Sequence, residues 1–416
     1  MSKITAPKGT KDIFYPEIEK WHFFENEVRR YFSNYLFKEI RTPVFEKSEL
    51  FSRGIGSDTE VVQKEMYTFE DKAGRSMTLR PENTASVVRA LIENNLFTEY
   101  FPLRFYYIGP MFRYDKPQKG RYRQFHQFGV EIFGDNSSFT DAEVIFSSFD
   151  FLKKLNVTNM SLHLNSVGCT ECRPGYLDNI KNEAEKSRND FCEDCQRKID
   201  TNPLRIFDCK KEKCIKLSDS LPKITDHLCI ECDTHYSGVK ENLKKLNIEF
   251  VENNKLVRGL DYYTKTAFEI VSTSLGAQNA ILGGGRYNNL VKELGGPDIS
   301  GIGFSGGIER ILLSMDEFKQ KKDKVFFIAY QGEKEMEEAF KLSNNLRKEG
   351  YRVYMDYTSK KMGKQFQKGA RTGADFTFVI GEDELKNNTV SIKTMETREQ
   401  VNIKRSELEK WLKENC

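Results

Sequence analysis

LRFYYIGPMFRYDKPQKGRYRQFHQFGVEIF, residues 103–133, holds two apolar-aromatic runs separated by a polar, basic loop. Leu103 to Tyr114 and Tyr122 to Phe133 are rich in Phe, Tyr and Ile, and the loop between them carries Pro117 and Gly120. Such runs on either side of a turn predict paired antiparallel strands. On the second strand the two-residue period of side chains puts Phe125, Gln127, Gly129 and Glu131 on one face. A buried carboxylate needs a partner, because leaving it unpaired is costly. A ligand bearing a cation would supply one; a structural salt bridge would supply one equally. In the loop, Arg113, Lys116, Lys119, Arg121 and Arg123 stand against a single acid, Asp115. Cations so placed suit phosphoryl oxygens, although a solvated hairpin tip carries the same charge.

Upstream, Pro16 to Lys38 predicts an amphipathic helix with Ile18, Trp21, Val28, Tyr31, Phe32, Tyr35 and Leu36 on its apolar stripe. Pro43, within Arg41-Thr42-Pro43-Val44-Phe45, ends helical character and starts an extended edge segment. Downstream, Phe268 to Ser272 and Gly283-Gly284-Gly285 extend the same sheet. Gly301 to Gly307 alternates small and apolar residues and leads into a helix at Ile308. The charged run Met315 to Lys324 reads as a linker. Beyond it, strands at Val325–Tyr330, Tyr351–Tyr357, Phe376–Ile380 and Val390–Met395 alternate with a helix over Glu333–Glu349, a basic helix and a final helix. That pattern is a small α/β domain of about 90 residues.

At 416 residues, two or three domains are expected. Hydrophobic content of 38% supports real cores, so global disorder is excluded. The net charge is only +3, so any nucleic-acid surface must come from local clustering. Lys360, Lys364, Lys368 and Arg371 are such a cluster, on one helix face with no acid between Thr358 and Ala374. It reads as a nucleic-acid contact or as an ordinary solvated face. The start, Met1 to Gly9, has no apolar leader region and no stretch is long enough for a membrane span, which predicts a soluble cytoplasmic protein with no membrane partner.

Eight of the nine cysteines fall between Cys169 and Cys232, and the ninth is Cys416. Cys169/Cys172, Cys192/Cys195, Cys209/Cys214 and Cys229/Cys232 are four pairs, the ligand count of two four-cysteine zinc sites. Unpaired thiols in a small insertion are the other reading. The stretch from Cys169 to Leu246 is charged and poor in long apolar periodicity, as an inserted subdomain would be.

Three segments together resemble the class II aminoacyl-tRNA synthetases. Arg41-Thr42-Pro43-Val44-Phe45-Glu46 resembles motif 1. Phe112 to Gln118, continued by Gln124 to Glu131, resembles motif 2. Gly301 to Arg310 resembles motif 3. Within that class, Leu256 to Tyr263 and Gly283-Gly284-Gly285-Arg286-Tyr287 resemble the two signatures of the histidyl family. The regulatory paralogues of ATP phosphoribosyltransferase generally lack the C-terminal domain and an intact histidine signature, and both features are present here.

The resemblance implies an α+β fold: an antiparallel sheet flanked by helices, a Cys-rich insertion and a C-terminal α/β anticodon-binding domain. The expected layout is catalytic core at 1–168 and 251–320, insertion at 169–250, and anticodon-binding domain at 325–416. It also implies activation of L-histidine with ATP, with Mg²⁺ on the phosphates, transfer to the 3′ end of tRNA(His), and a homodimer formed through motif 1. Histidine would be held by Glu82, Thr84, Gln127, Glu131, Arg258, Tyr263 and Tyr287. Arg113 and Arg258 would be catalytic, flanking the α-phosphate, with Arg310 on the γ-phosphate and Phe125 stacked on adenine. Lys116 and Gln118 would meet the tRNA acceptor end; the family often has Arg at the position of Lys116. Asn83 stands where the family usually has Gly, which predicts a slightly remodelled loop. The family does not in general require zinc, so zinc in the insertion would hold that subdomain together and leave catalysis untouched.

Overall fold

In the computed structural model the described residues are 3–56, 59–98, 102–275, 279–316, 323–359 and 361–415. The chain divides into two compact units, Met1–Phe318 and Lys319–Cys416.

Helix α1 (Glu17–Ser33) opens the first unit and buries Trp21, Phe24, Val28, Tyr31 and Phe32 along one stripe. It is shorter than its periodicity predicts. Tyr35 lies beyond its end, and Leu36 turns outward at φ +59° with 80% exposure, while Phe37 enters the core in its place. Strands β1 (Lys38–Glu39) and β2 (Phe45–Lys47), helix α2 (Ser48–Ile55), strands β3 (Tyr67–Glu70) and β4 (Ser76–Leu79), and helix α3 (Thr84–Glu93) follow. β2, β4 and β3 form a small antiparallel sheet.

Next come β5 (Leu103–Phe112), β6 (Gln124–Phe133), α4 (Ser138–Lys154) and β7 (Met160–Ser166). The Cys-rich stretch holds helices α5 (Arg173–Glu185), α6 (Glu193–Thr201), α7 (Glu212–Ser218) and α8 (Ile230–Lys245). The chain returns through β8 (Val251–Glu252), β9 (Thr264–Ser272), β10 (Ala280–Arg286), α9 (Leu290–Glu293), β11 (Gly301–Gly307) and α10 (Ile308–Ser314). Among the described residues the main sheet has eight strands in the order β1-β5-β6-β11-β10-β9-β7-β8, parallel only at its two ends. The predicted pairing of the two aromatic runs is thus the β5–β6 hairpin, in register from Leu103↔Phe133 to Phe112↔Gln124.

Alternation on β6 sorts its side chains. Phe128, Val130 and Ile132 face a core shared with Phe24, Phe32, Phe151 and Phe304. Burying each such ring contributes on the order of 2–3 kcal/mol. Gln127, Gly129 and Glu131 therefore occupy the opposite face.

The second unit comprises β12 (Val325–Tyr330), α11 (Glu333–Lys348), β13 (Arg352–Met355), α12 (Met362–Arg371), β14 (Phe376–Ile380), α13 (Glu382–Asn387), β15 (Thr389–Thr394), β16 (Gln400–Lys404) and α14 (Leu408–Asn415). The sheet order is β13-β12-β14-β15-β16, with β12 parallel to both neighbours and the remaining pairs antiparallel. β16 and the short α13 go beyond the predicted elements. β16 is an edge strand whose residues are mostly exposed, so burial left it only a weak apolar alternation at Val401 and Ile403. Most of the expected linker, and Lys360 of the basic cluster, lie outside the described residues. Among the described residues no helix is long and apolar enough to cross a membrane.

Candidate active site

Strand register assembles the site from residues far apart in sequence. One row across the sheet runs Phe105–Glu131–Gly303–Gly285–Ala267, and the next runs Tyr107–Gly129–Ser305–Gly283–Glu269. Directly opposed residues share a face, so four glycines make a floor between Glu131 and Glu269. The glycines are needed for what lies on them. A methyl group at Gly303 would collide with Glu131, at Gly283 with the Arg258 guanidinium, and at Gly129 with the Tyr107 hydroxyl. At Gly285 it would stand 2.8 Å from the Tyr263 ring.

Glu131 is 1% exposed, and both its oxygens are engaged by hydroxyls. Thr84 Oγ1 donates to Oε1 at 2.7 Å and the Tyr287 hydroxyl donates to Oε2. No cation pairs with it among the described residues, so the salt-bridge alternative does not apply. Burial pushes its carboxyl up to about 8 against the pull of those two hydrogen bonds. Glu82 sits at the start of α3, where its carboxylate accepts from the backbone N–H groups of Thr84 (2.6 Å) and Ala85 (2.9 Å). Burial raises this carboxyl as well, with the helix N–H groups opposing. Gln127 is buried on the same face, and its Oε1 has no hydrogen-bond partner among the described residues. A buried acceptor without a protein partner calls for water or a ligand to satisfy it. Tyr263 and Tyr287 are buried, with Tyr262 packed against both rings at 4.6 and 5.6 Å.

Three arginines border the groove. Arg258 donates from Nη1 to Glu269 Oε1 at 2.8 Å, while its Nε is buried without a partner among the described residues. Burial works against its charge, but Tyr263 and Glu269 outweigh that and hold it above its usual range. Arg113, at the end of β5, donates from Nε to the Pro81 carbonyl at 2.9 Å and lies 5.5 Å from the Phe125 ring. Burial lowers Arg113, partly offset by Glu65 and Glu82. Arg310, on α10, is lowered by burial and by Arg121, while Glu269 opposes. Carboxyl, hydroxyl and guanidinium groups thus meet on one face, with the Arg258 guanidinium 5.8 Å from the Tyr263 ring.

Lys116 and Gln118 are exposed near the hairpin tip, where Gln118 and Arg121 close a tight turn by exchanging backbone hydrogen bonds of 2.9 and 3.2 Å. Two of the five loop cations are used within the hairpin. Arg121 pairs with Asp115 at 2.8 Å, and Arg123 lies 3.9 Å over the Tyr114 ring. Arg80 pins the motif 1 segment to this site by donating to the carbonyls of Thr42 and Pro110, both at 2.9 Å. Asn83 accepts from Thr42 Oγ1 (2.8 Å) and Arg80 (3.1 Å) with φ −115°, a conformation open to any residue, so no glycine is required there.

Sequence reasoning missed Tyr107, Glu269 and Glu65. Tyr107 follows once the hairpin register is known, and Glu269 is a lone acid in an apolar strand. Glu65, whose carboxyl is raised by burial and faces Arg113, carries no sequence signal. In the second unit, Lys364 and Arg371 are exposed, but Lys368 is paired with Asp356 at 2.6 Å. The acid-free run around the cluster concealed this, because Asp356 lies just before it in sequence.

The profile of the histidyl-tRNA synthetase family matches residues 9–187 and 217–311, and that of the anticodon binding domain matches residues 324–415. The histidine–tRNA ligase of Halothermothrix orenii is 48% identical over 404 residues, covering 96% of each chain. That of Thermotoga maritima is 47% identical over 402 residues, covering 96% of this chain and 95% of the relative. Among solved structures, the apo histidyl-tRNA synthetase of S. aureus superposes with a TM-score of 0.84 at 38% identity, covering 99% of this chain and 100% of that one. Matches of this identity and extent, over both compact units, place the chain in the histidyl-tRNA synthetase family.

Proposed function

We propose that the glycine-floored groove is where this chain carries out the family's reaction, activating L-histidine with ATP and passing it to the 3′ end of tRNA(His). The observation that carries the reading is the glycine-floored sheet face bearing Gln127, Glu131 and Glu269, with Tyr263 and the Arg258 guanidinium packed on its glycines and Arg113 just beyond β5. Histidine needs a carboxylate or carbonyl for its ammonium, and a partner at each ring nitrogen. Glu82, Thr84 and the orphaned Gln127 Oε1 suit the first need, and Glu131 with Tyr263 suits the second. Tyr287 lines the pocket and holds Glu131 by its hydroxyl.

Adenylate formation is attack of the histidine carboxylate on the α-phosphorus, which gathers negative charge on the phosphoryl oxygens. Fixed cations there stabilise the transition state. Arg113 and Arg258 have that role, Arg310 holds the γ-phosphate, and Phe125, already beside the Arg113 guanidinium, stacks on adenine. Mg²⁺ neutralises phosphate charge when it arrives with ATP. Glu269, a partly exposed carboxylate beside Arg258, offers the hard oxygen such an ion accepts.

The same reading divides the chain into a catalytic core (1–168 and 251–320), the Cys-rich insertion (169–250) and an anticodon-binding domain (325–416). Lys116 and Gln118 meet the acceptor end, where Lys reads phosphate as a point charge. Lys364 and Arg371 contact the anticodon stem. Val44, Phe45 and Phe69, exposed on and beside the small sheet, support a homodimer through motif 1. A cytoplasmic location and structural zinc on the insertion cysteines complete the reading. The test is ATP–pyrophosphate exchange with each of the twenty amino acids and no tRNA. Exchange with histidine alone supports the reading; no exchange from folded protein overturns it.

A further inference from the structure

Folding settles which cysteines group together. The sulfurs of Cys169, Cys172, Cys229 and Cys232 lie within 4.8 Å of one another, as do those of Cys192, Cys195, Cys209 and Cys214. The first group joins the start of the insertion to the head of its return helix α8. The second is nested inside, in 188–216, the part of the insertion outside the family profile. Cys169 is 3.8 Å from both Cys172 and Cys229, and Cys192 is 4.0 Å from Cys209. Sulfurs at the corners of a tetrahedron with zinc bonds of about 2.3 Å stand about 3.8 Å apart. A disulfide would draw them to about 2 Å, and all eight thiols are free.

The backbone around them is arranged for thiolates. Cys169 N–H donates to Cys172 Sγ at 3.2 Å, Glu171 N–H to Cys169 Sγ at 3.4 Å, and Cys192 N–H to Cys214 Sγ at 3.4 Å. The subdomain's own apolar cluster is small and already includes Cys195 and Cys214. A core of that size calls for a staple.

Both groups also touch the Arg258–Tyr263 loop. Arg173, next to Cys172, donates to the carbonyls of Val167 (2.9 Å) and Tyr263. Glu231, between Cys229 and Cys232, pairs at 2.6 Å with Lys265, which lies on β9 two residues beyond the loop. From the inner group, Arg205, between Cys195 and Cys209, pairs with Asp261 and reaches the Gly259 carbonyl at 3.4 Å.

We propose that the eight cysteines form two four-thiolate zinc centres that position the histidine-signature loop from both sides. The positioning half rests on the reading of Arg258 and Tyr263 as active-site groups. The outer centre fixes the first turns of α5 and α8, which carry Arg173 and Glu231, and the inner centre fixes the short turn Pro203–Asp208, which carries Arg205, so zinc reaches catalysis through backbone placement. This departs from the expectation that zinc would leave catalysis untouched.

Metal analysis of the purified full chain should find two zinc per chain. Cobalt substitution should give thiolate charge-transfer bands, reduced in Cys172→Ser and in Cys195→Ser. Because those variants could fail to fold, Arg205→Gln and Lys265→Met break the links while leaving every thiol. They should keep two zinc yet raise the histidine KM in pyrophosphate exchange about tenfold with the ATP KM changed less than about twofold. Arg205→Lys should restore part of the loss. Fewer than two metals in fully reduced protein overturns the centres, and an unchanged histidine KM in both link variants overturns the positioning. Histidine-dependent exchange by the wild type is read separately, so failure of the functional reading shows there and not in the metal count.

Discussion

Replacing Glu131 by Gln separates two properties that one carboxyl now combines. Burial holds Glu131 protonated up to about 8, whereas a glutamate in an unfolded chain titrates near about 4.3. Between those values the folded state binds the extra proton. Its contribution to stability is therefore complete below about 4.3, falls as pH rises, and is gone above about 8. The span corresponds to a ceiling on the order of 5 kcal/mol. Glutamine keeps the side chain's size and has no such pH dependence. Its amide gives up one of the hydroxyl donors now supplied by Thr84 and Tyr287, which costs about 1 kcal/mol. Ligand-free Glu131→Gln should thus melt no higher than wild type at about pH 5, and several degrees higher at about pH 8.5. The same variant should raise the histidine KM at least about tenfold and the ATP KM less than about twofold. Thermal melts at the two pH values and pyrophosphate-exchange kinetics check both halves. A melting difference identical at the two pH values refutes the burial argument, and an unchanged histidine KM removes Glu131 from imidazole recognition.

Arg258→Ala should cut adenylate formation by about two orders of magnitude or more while the protein stays folded, and near-normal single-turnover rates would remove it from the mechanism. Gly283→Ala should reproduce much of that loss without touching Arg258, since the new methyl collides with the guanidinium; wild-type exchange rates would show that the floor does not position it. Asp141 and Arg286 are fully buried partners, with His235 on Asp141 at 2.9 Å, so Asp141→Asn should destabilise the first unit by about 3 kcal/mol in denaturant unfolding. A change under about 1 kcal/mol would contradict that. Lys364→Ala with Arg371→Ala should weaken tRNA binding and flatten its salt dependence, leaving tRNA-free exchange intact; an unaltered salt slope would make this a plain solvated face.

Periodicity and composition made the hairpin, the glycine-rich strands, the alternation of the second unit and the four cysteine pairs legible, because each is a local property of the chain. The polar face of β6 was legible for the same reason: a strand alternates whatever it packs against. Local pattern failed where long-range packing intervened. The first helix stops short of its apolar stripe because Phe37, not Leu36, is drawn into the core. Lys368 looks free in sequence and is neutralised by Asp356 across a turn. Tertiary structure alone decided that Tyr107 lies opposite Gly129, that four glycines from three strands form one floor, and which cysteine pairs share a centre. Strand register and chain closure bring together residues more than a hundred positions apart, and no local period encodes that juxtaposition.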